Sequence, residues 1–556
     1  MSTAEAQAEY NLGLHLHLHD RMREAEPHYQ TALAIDGDLA EAWINLGLVV
    51  LAQGRAEEAL SCQRAALHLN PENADALNNL GMAHYAMGHV TEAENCFRAA
   101  LRLDAGHANA TLNLGATRQI LGHVEEAEGL FRRALALGVE PARAKSNLAL
   151  ALMEQVRPEE AEQCCRDALV DRPDYPEART NLALALLMLG RLDEGWREYE
   201  ARWLVEAMDA SARPQGQSRV AQSPPAEASL AWRRLAEPPL AEPPLAEPLL
   251  AEPSLAAGPV VAGPVVAGPL ARCSPKQSSA PPRWTGQQLH GETVLLYAEQ
   301  GFGDTLQFCR YAPMVAAAGG RVILVVPRAL CRLMATLDGV AEVLCEDDGA
   351  LPPFDYHCPL LSLPFAFGTT MATIPGPASY LRADPSAWAE FLAGCPGLKI
   401  GVVWAGRSRT GQPQAVAIDR RRSMRLSDMA PLFSVPGCSF VSLQAGVPAL
   451  QLQSLAPAGP LDVSRRLNDW ADTAALIAGL DLVIAVDTAV AHLAGALGRP
   501  VWMLNRFDSC WRWFLHRDDT PWYPSMRIFR QSRRGDWAGV IASVRERLTI
   551  IASGRI

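Results

Sequence analysis

A short glycine-rich segment carries the first side chain whose position suits catalysis. Asp304 follows Gly301 and Gly303 in the run Glu299–Thr305, directly after the apolar residues 293–298. Glycines let the chain turn tightly and let a ligand approach the backbone. Asp304 stands where the following helix should begin, so one interpretation is a helix N-cap. The other is a carboxylate at the mouth of a cleft, able to take a proton from an acceptor hydroxyl.

A second segment joins an apolar strand to a helix and suits the binding of a phosphate. The strand ends at Asp487, and Thr488 precedes the helical run 489–497, which contains His492. The first N–H groups of a helix have no partners within it and carry positive dipole charge, so they favour an anion. Thr488 adds a hydroxyl donor at the same end. We therefore expect a phosphate group to bind at the start of this helix.

Arginines gather after a third apolar run, residues 399–404. Five of them follow that run at Arg407, Arg409, Arg420, Arg421 and Arg422, in a chain that contains only three lysines. Planar guanidinium groups bind phosphate in a bidentate manner. We predict that Arg407 and Arg422 form a clamp for a phosphate group. The alternative is a solvated, flexible basic loop.

The first two segments resemble those of a bacterial family, glycosyltransferase family 9, which includes the ADP-heptose:lipopolysaccharide heptosyltransferases. The resemblance covers residues 283–550. It rests on Gly303-Asp304 and on Asp-Thr-x-x-x-His-x-Ala-x-Ala-Leu-Gly-x-Pro from Asp487. It implies the GT-B fold, two Rossmann-like lobes that use no catalytic metal and no cofactor beyond the nucleotide-sugar substrate. By position, it implies that Asp304 is the general base. It places Asp487, Thr488 and His492 at the donor sugar and its diphosphate.

Alternating apolar runs and helical stretches would position these side chains. The predicted strands are residues 293–298, 321–326, 340–345, 399–404, 439–443, 481–486 and 501–504, and residues 304–318 are predicted as one helix. Such alternation predicts parallel sheets with helices on both faces, which bind ligands at the carboxyl ends of their strands. We predict an acceptor lobe over residues 282–395 and a donor lobe over residues 396–556.

The N-terminal part of the chain contains an internal repeat. The tripeptide Asn-Leu-Gly or Asn-Leu-Ala recurs at intervals of 34 residues, at Asn11, Asn45, Asn79, Asn113, Asn147 and Asn181. Small residues and larger space-filling residues recur at fixed distances after each asparagine. This pattern resembles the tetratricopeptide repeat over residues 6–209 and predicts an α-solenoid of six helix pairs with a concave groove. The segment 195–203 is predicted to cap its end.

In tetratricopeptide repeats the repeated asparagine lies on the helix that lines the groove. Carboxamides both donate and accept hydrogen bonds, so a ladder of them could grip the backbone of an extended peptide. The eukaryotic protein O-GlcNAc transferases use such a ladder, and this chain resembles them in architecture. The alternative is that the asparagines bond between helices. Residues 1–209 hold 33 acidic and 18 basic side chains, a net charge of −15 that favours a neutral or basic partner.

Composition sets the remaining expectations. Residues 210–281 are rich in proline and alanine and predict a linker without a packed core. Gly-Pro interruptions in the longest uncharged stretch argue against a transmembrane helix. Twelve cysteines without a Cys-x-x-Cys pair predict free thiols and a cytoplasmic location. The net charge of −11 argues against a nucleic-acid partner.

Together these features predict a GT-B glycosyltransferase that moves a hexosyl or heptosyl group from a nucleotide-diphosphate sugar to a hydroxyl acceptor. The resemblance implies inversion at the anomeric carbon without a metal ion. The repeats would present a protein or peptide as the acceptor. The alternative is a tetratricopeptide protein-interaction scaffold whose glycosyltransferase-like half does not catalyse.

Overall fold

The computed structural model describes residues 3–205, 281–376, 378–407, 413–455 and 457–554. Twelve consecutive helices form its N-terminal part, and successive helices pack as pairs. Helices α1–α12 span Thr3–Leu18, Met22–Ile35, Ala40–Ala52, Ala56–Leu69, Ala74–Ala86, Val90–Leu103, Ala108–Ile120, Val124–Ala136, Pro141–Glu154, Pro158–Asp171, Pro176–Met188 and Leu192–Tyr199. The predicted linker over residues 210–281 lies outside the described residues except for its last position.

Glycines on the first helix of a pair let the second helix approach closely. A Cβ at Gly81 would lie 2.6 Å from Phe97 Cε1, and a Cβ at Gly115 would lie 2.6 Å from the same atom of Phe131. Both rings are fully buried, so they fill the space that the glycines leave. This packing explains why a small residue follows the repeated asparagine, and it confirms the predicted helical solenoid.

The first sheet has four parallel strands in the order β3-β2-β1-β4. Strands β1–β4 span Thr293–Tyr297, Arg321–Val326, Val340–Cys345 and Tyr356–Pro359, and helices α13–α17 span Phe302–Phe308, Ala312–Ala317, Arg328–Met334, Leu363–Ala366 and Ala389–Ala393. The prediction of one helix over residues 304–318 is wrong. The α-helix is interrupted between α13 and α14, because Pro313 has no N–H group to continue the helical hydrogen bonds.

The second sheet has six parallel strands in the order β10-β9-β8-β5-β6-β7. Strands β5–β10 span Leu398–Val403, Cys438–Ser442, Leu461–Asp462, Leu482–Val486, Val501–Asn505 and Met526–Arg530. Helices α18–α22 span Pro413–Arg422, Ala430–Phe433, Trp470–Ala478, Ala489–Ala496 and Trp537–Ala552. Taken from β7, this is the 3-2-1-4-5-6 order of doubly wound sheets, whose strand order reverses between β5 and β8. The predicted parallel α/β region is confirmed, although β4, β7, β10 and α18 were not predicted.

The repeats and the two sheets share an apolar core. Trp196, on the last repeat helix, is 1 % exposed and meets Phe308, Trp511 and Trp522 edge-on. The ring centroids lie 5.9, 5.2 and 6.4 Å from that of the indole. The segment predicted as a cap is therefore an interface with both sheet-containing units. The unit boundaries at residues 6–209, 282–395 and 396–556 stay predictions.

The described residues on either side of positions 206–280 are in contact. The guanidinium of Arg283 lies over the ring of Trp203, 5.6 Å from its centroid, and also pairs with Glu200. The chain therefore leaves the repeats and enters the first sheet at one place.

One covalent link differs from expectation. Cys331 and Cys345 form a disulfide between α15 and β3, with their Cα atoms 5.9 Å apart, whereas free thiols were predicted throughout. The sequence separation of 14 residues gave no sign that this helix and strand would bring the two thiols together. Among the described residues, no helix is long and apolar enough to cross a membrane.

Candidate functional site

Asp304 lies in the first turn of α13, directly beyond the carboxyl end of β1. Its Oδ2 accepts a hydrogen bond from the backbone N–H of Gly301 at 3.1 Å, so the carboxylate closes the turn that starts the helix. This is the third helical position of a capping arrangement rather than the N-cap itself, which is Gly301. Its other oxygen, Oδ1, pairs with Arg512. The side chain is thus held in one orientation by partners on both oxygens.

Arg512 is a site residue that the sequence did not single out. Its Nε donates to Gln307 Oε1 at 2.8 Å, and its guanidinium stacks on Trp511 at 4.2 Å from the ring centroid. Burial alone would lower the pKa of Arg512, but the nearby Asp304 carboxylate raises it above its ordinary value. Arg512 stands between Trp511 and Trp513 in the sequence. An arginine between two aromatic residues was the sequence pattern that could have indicated this site residue.

The second segment places His492 inside the protein. Asp487 and Thr488 connect β8 to α21, and the hydroxyl of Thr488 is buried with no hydrogen-bond partner among the described residues. His492 is 5 % exposed, and its Nδ1 lies 2.8 Å from the hydroxyl oxygen of Tyr523. Burial lowers the pKa of His492 to about 4, so the imidazole is neutral at pH 7.

The two predicted segments meet across the boundary between the sheets. A Cβ added to Gly303 would lie 2.9 Å from His492 Cδ2 and 3.7 Å from the Cα of Ala489. The starts of α13 and α21 are therefore in contact, each at the carboxyl end of a strand from a different sheet. Only glycine allows this approach at position 303. The junction brings together a fixed carboxylate, a buried arginine and a helix N-terminus with an unsatisfied hydroxyl.

The buried neutral histidine predicts an acid sensitivity. Between its unfolded pKa of 6.5 and its folded value of about 4, the unfolded chain binds a proton that the folded chain excludes. Stability therefore falls as pH decreases through this window. We expect His492→Asn to reduce the loss of unfolding free energy between pH 7.5 and pH 5 by about 2 kcal/mol. Urea denaturation of the wild type and the variant at both pH values measures this difference. Equal pH dependence in His492→Asn and in the exposed control His68→Asn would contradict the assignment.

The arginines after β5 separate into two groups. Arg422 Nε binds Asp419 Oδ1 at 3.0 Å, and a Cβ at Gly406 would lie 2.5 Å from Arg422 Nη2, so this guanidinium covers the end of β5. Arg407 is exposed on the same loop. Arg420 and Arg421 instead turn towards the repeats, where they contact Ile120 O and Glu154. Arg409 lies outside the described residues. Among the described arginines of this set, Arg422 is the one whose guanidinium has contacts at the end of β5.

The last repeat is joined directly to the segment that carries Asp304. Arg202 binds both carboxylate oxygens of Glu299 at 3.0 Å, and these side chains are only 5 % and 4 % exposed. Glu299 also accepts from the backbone N–H of Leu361 at 3.0 Å. Next to it, Gln300 donates to the hydroxyl of Tyr199 at 3.1 Å. The conformation of the glycine-rich turn therefore depends on the repeat domain.

The repeated asparagines make contacts between repeats. Asn45 donates to Tyr10 Oη at 3.1 Å, Asn113 donates to Asn78 Oδ1 at 2.9 Å, and Asn181 donates to Ser146 Oγ at 2.9 Å. Each bond spans 35 residues, which fits the alternative that the asparagines bond between helices. Asn79 accepts from its neighbour Asn78, and Asn11 is exposed on the first helix. Asn113, Asn147 and Asn181 nevertheless line the concave groove.

Potential metal ligands cluster away from this junction. In the described part of the chain, Cys345, Asp347 and Asp348 are the one group of three or more such side chains. Cys345 is bonded to Cys331, and Arg328 pairs with both aspartates at 2.7 Å. All three side chains thus already have partners within the protein.

Comparisons with known proteins find family matches for segments in both halves of the chain. Residues 38–105, 78–138, 118–176 and 147–211 match tetratricopeptide repeat families. Residues 468–520 match glycosyltransferase family 9 (heptosyltransferase). This second match contains Asp487, Thr488, His492 and Arg512, but it does not reach Asp304.

Individual relatives cover parts of the chain. Protein FlbA of Caulobacter vibrioides is 28 % identical over 313 residues, which is 49 % of this chain and 50 % of FlbA. The chain thus spans about half the length of this curated relative. A thermophilic TPR protein of Thermus thermophilus is 24 % identical over 33 % of this chain and 99 % of its own, with a TM-score of 0.31. Pseudomonas aeruginosa pilF is 21 % identical over 37 % and 90 %, with a TM-score of 0.30.

Proposed function

We propose that this protein is a glycosyltransferase of the GT-B type that moves a hexosyl or heptosyl group from a nucleotide-diphosphate sugar to a hydroxyl acceptor. The observation that carries the proposal is the contact between Gly303 and His492. It joins the carboxyl ends of two parallel sheets, and ligands of open α/β sheets bind there. The family match at residues 468–520 supports the same interpretation for the second sheet.

In the proposed mechanism each half of the junction has one task. The donor diphosphate binds at the N-terminus of α21, where backbone N–H groups, the Thr488 hydroxyl and Arg422 oppose its negative charge. Asp304 takes the proton of the acceptor hydroxyl while the hydroxyl oxygen attacks the anomeric carbon of the donor sugar. Attack opposite the departing diphosphate inverts the configuration. Arg512 and the Gly301 N–H keep the carboxylate oriented, and its oxygens retain lone pairs for the proton.

The acceptor in this proposal is a protein or peptide held by the repeats. Direct contacts between the last repeat and residues 299–300 support a shared role of the two halves. The scaffold alternative predicts that the chain binds partners but releases no nucleotide.

A donor screen tests the proposal. Calorimetry of the full chain with UDP-, GDP- and ADP-sugars should show one preferred nucleotide, and adding the acceptor should release it. Thr488→Val removes the buried hydroxyl without changing the size of the side chain and should weaken donor binding. Thr549→Val, on an exposed part of α22, serves as its control. Binding that never leads to release would favour the scaffold, and no binding of any nucleotide sugar would refute the proposal.

A further inference from the structure

Two cavities adjoin where the repeats meet the second sheet. The first has a volume of about 650 Å³ and lies between the concave face of the repeats and α18. The second, of about 560 Å³, lies between the end of α18 and the start of α22. Arg421 lines both cavities, so they meet at its side chain.

The first cavity is mainly apolar. Met82, Tyr85, Phe97, Leu150 and Tyr175 line its repeat side. Opposite them, Ile418 of α18 lines the cavity and keeps 40 % of its surface exposed. An exposed branched side chain facing aromatic walls is suited to an apolar group from a ligand.

The charged groups around the two cavities are mostly basic. Five arginines line them, Arg143, Arg420, Arg421, Arg425 and Arg534, against the three carboxylates Glu154, Asp428 and Asp508. The local balance is therefore opposite to the net charge of −15 over residues 1–209.

Three of these arginines have no carboxylate partner within the described residues. Arg143 donates to the amide oxygen of Asn113 at 3.0 Å, and Arg420 donates to Ile120 O at 3.0 Å. The third is Arg425, which is exposed. By contrast, Arg421 is paired with Glu154 at 3.3 Å and with Asp508 at 2.9 Å. Guanidinium groups bind carboxylates more strongly than neutral oxygens, so the first three can each gain by accepting an acidic group.

We propose that the two cavities form an acceptor site for a protein segment that carries an apolar anchor next to acidic side chains. The anchor fills the first cavity against Ile418, and the carboxylates pair with Arg143, Arg420 and Arg425. The inference rests on the proposed function only in naming this segment an acceptor. The proposed partner is acidic, whereas the composition of the repeats favours a neutral or basic one. Charges in the cavity walls decide, because charges within a Debye length of about 10 Å act on the ligand more than distant surface groups do.

Peptide selection on the full chain tests the inference without a donor. Random twelve-residue peptides displayed on phage should be enriched for an aliphatic or aromatic residue beside Asp or Glu. The dissociation constant of an enriched, labelled peptide, measured by fluorescence anisotropy, should rise about tenfold for Arg143→Gln. It should also rise for Ile418→Glu. The control Arg132→Gln removes an exposed arginine of α8 that lines neither cavity and should leave binding unchanged.

A charge exchange separates recognition from structural damage. The Arg143→Glu protein should bind a peptide whose acidic residues are replaced by lysine more tightly than the wild type does. Enrichment of basic peptides, failure of this exchange, or displacement of the peptide by a nucleotide sugar would each overturn the inference. Normal nucleotide release without peptide selectivity would refute this site alone. Peptide selectivity without release would refute the proposed function alone.

Discussion

Asp304→Asn is expected to reduce sugar transfer strongly while donor binding is preserved. Loss of a general base lowers the rate of the chemical step by about 10² to 10⁴-fold. Asparagine keeps an oxygen for the Gly301 N–H, but it removes the negative charge that pairs with the buried Arg512. Some loss of stability is therefore expected, and turnover is compared at a temperature at which both proteins are folded. Asparagine cannot take the acceptor proton at neutral pH. Turnover is measured by nucleotide release, and donor binding by calorimetry.

The control for this change is another aspartate that caps a helix. Asp536 accepts from the Gly539 N–H at 3.0 Å at the start of α22, away from the junction between the sheets. Asp536→Asn should therefore change thermal stability slightly and leave turnover unchanged. If Asp304→Asn retained turnover, Asp304 would have no part in the reaction. If it lost donor affinity instead, the residue would belong to the donor site.

Arg202→Met should destabilise the whole protein and reduce transfer, although Arg202 lies in the repeat domain. The change leaves Glu299 buried without the guanidinium that binds both of its oxygens. Breaking a buried ion pair on one side costs about 3–5 kcal/mol. The loop that carries Gly301–Asp304 should then lose its fixed conformation. Urea denaturation gives the free energy of unfolding, and nucleotide release gives the activity.

A double-variant cycle shows whether the pair itself is responsible. Arg202→Met combined with Glu299→Gln removes the uncompensated charge and should recover part of the lost stability. Arg179→Met breaks a more exposed pair with Glu198, in which the side chains are 36 % and 24 % exposed, and should cost less than about 1 kcal/mol. Equal losses for the two single arginine variants would contradict a coupling role for Arg202.

Local sequence patterns predicted the elements but not their long-range partners. The 34-residue period and the apolar runs were sufficient for the solenoid and for most strands, because each reflects burial within one element. Strand β10 was not predicted because arginines interrupt its apolar residues. Helix α18 was interpreted as a loop because its last turn contains three arginines, two of which contact the repeats. A helix of ten residues depends on such tertiary contacts.

The same contrast between local sequence patterns and long-range partners applies to the candidate site. Asp304, Thr488 and His492 follow strands at recognisable junctions, so their position at sheet edges could be predicted. The pairing of Asp304 with Arg512 spans 208 residues, and that of Arg202 with Glu299 spans 97. Pairs of this kind depend on how the repeats and the two sheets pack together. A single sequence carries no pattern for them.

The contact of Arg283 with Trp203 and Glu200 bears on how the intervening sequence can evolve. Residues 206–280 join two points that already touch, so their length sets no distance between the halves. Doubling the number of residues between two points in contact raises the free-energy cost of closing the loop by only about 0.6 kcal/mol. We therefore expect gain or loss of residues in this stretch to change the free energy of folding by less than about 1 kcal/mol. The length of the stretch can then change without moving the junction between the repeats and the sheets.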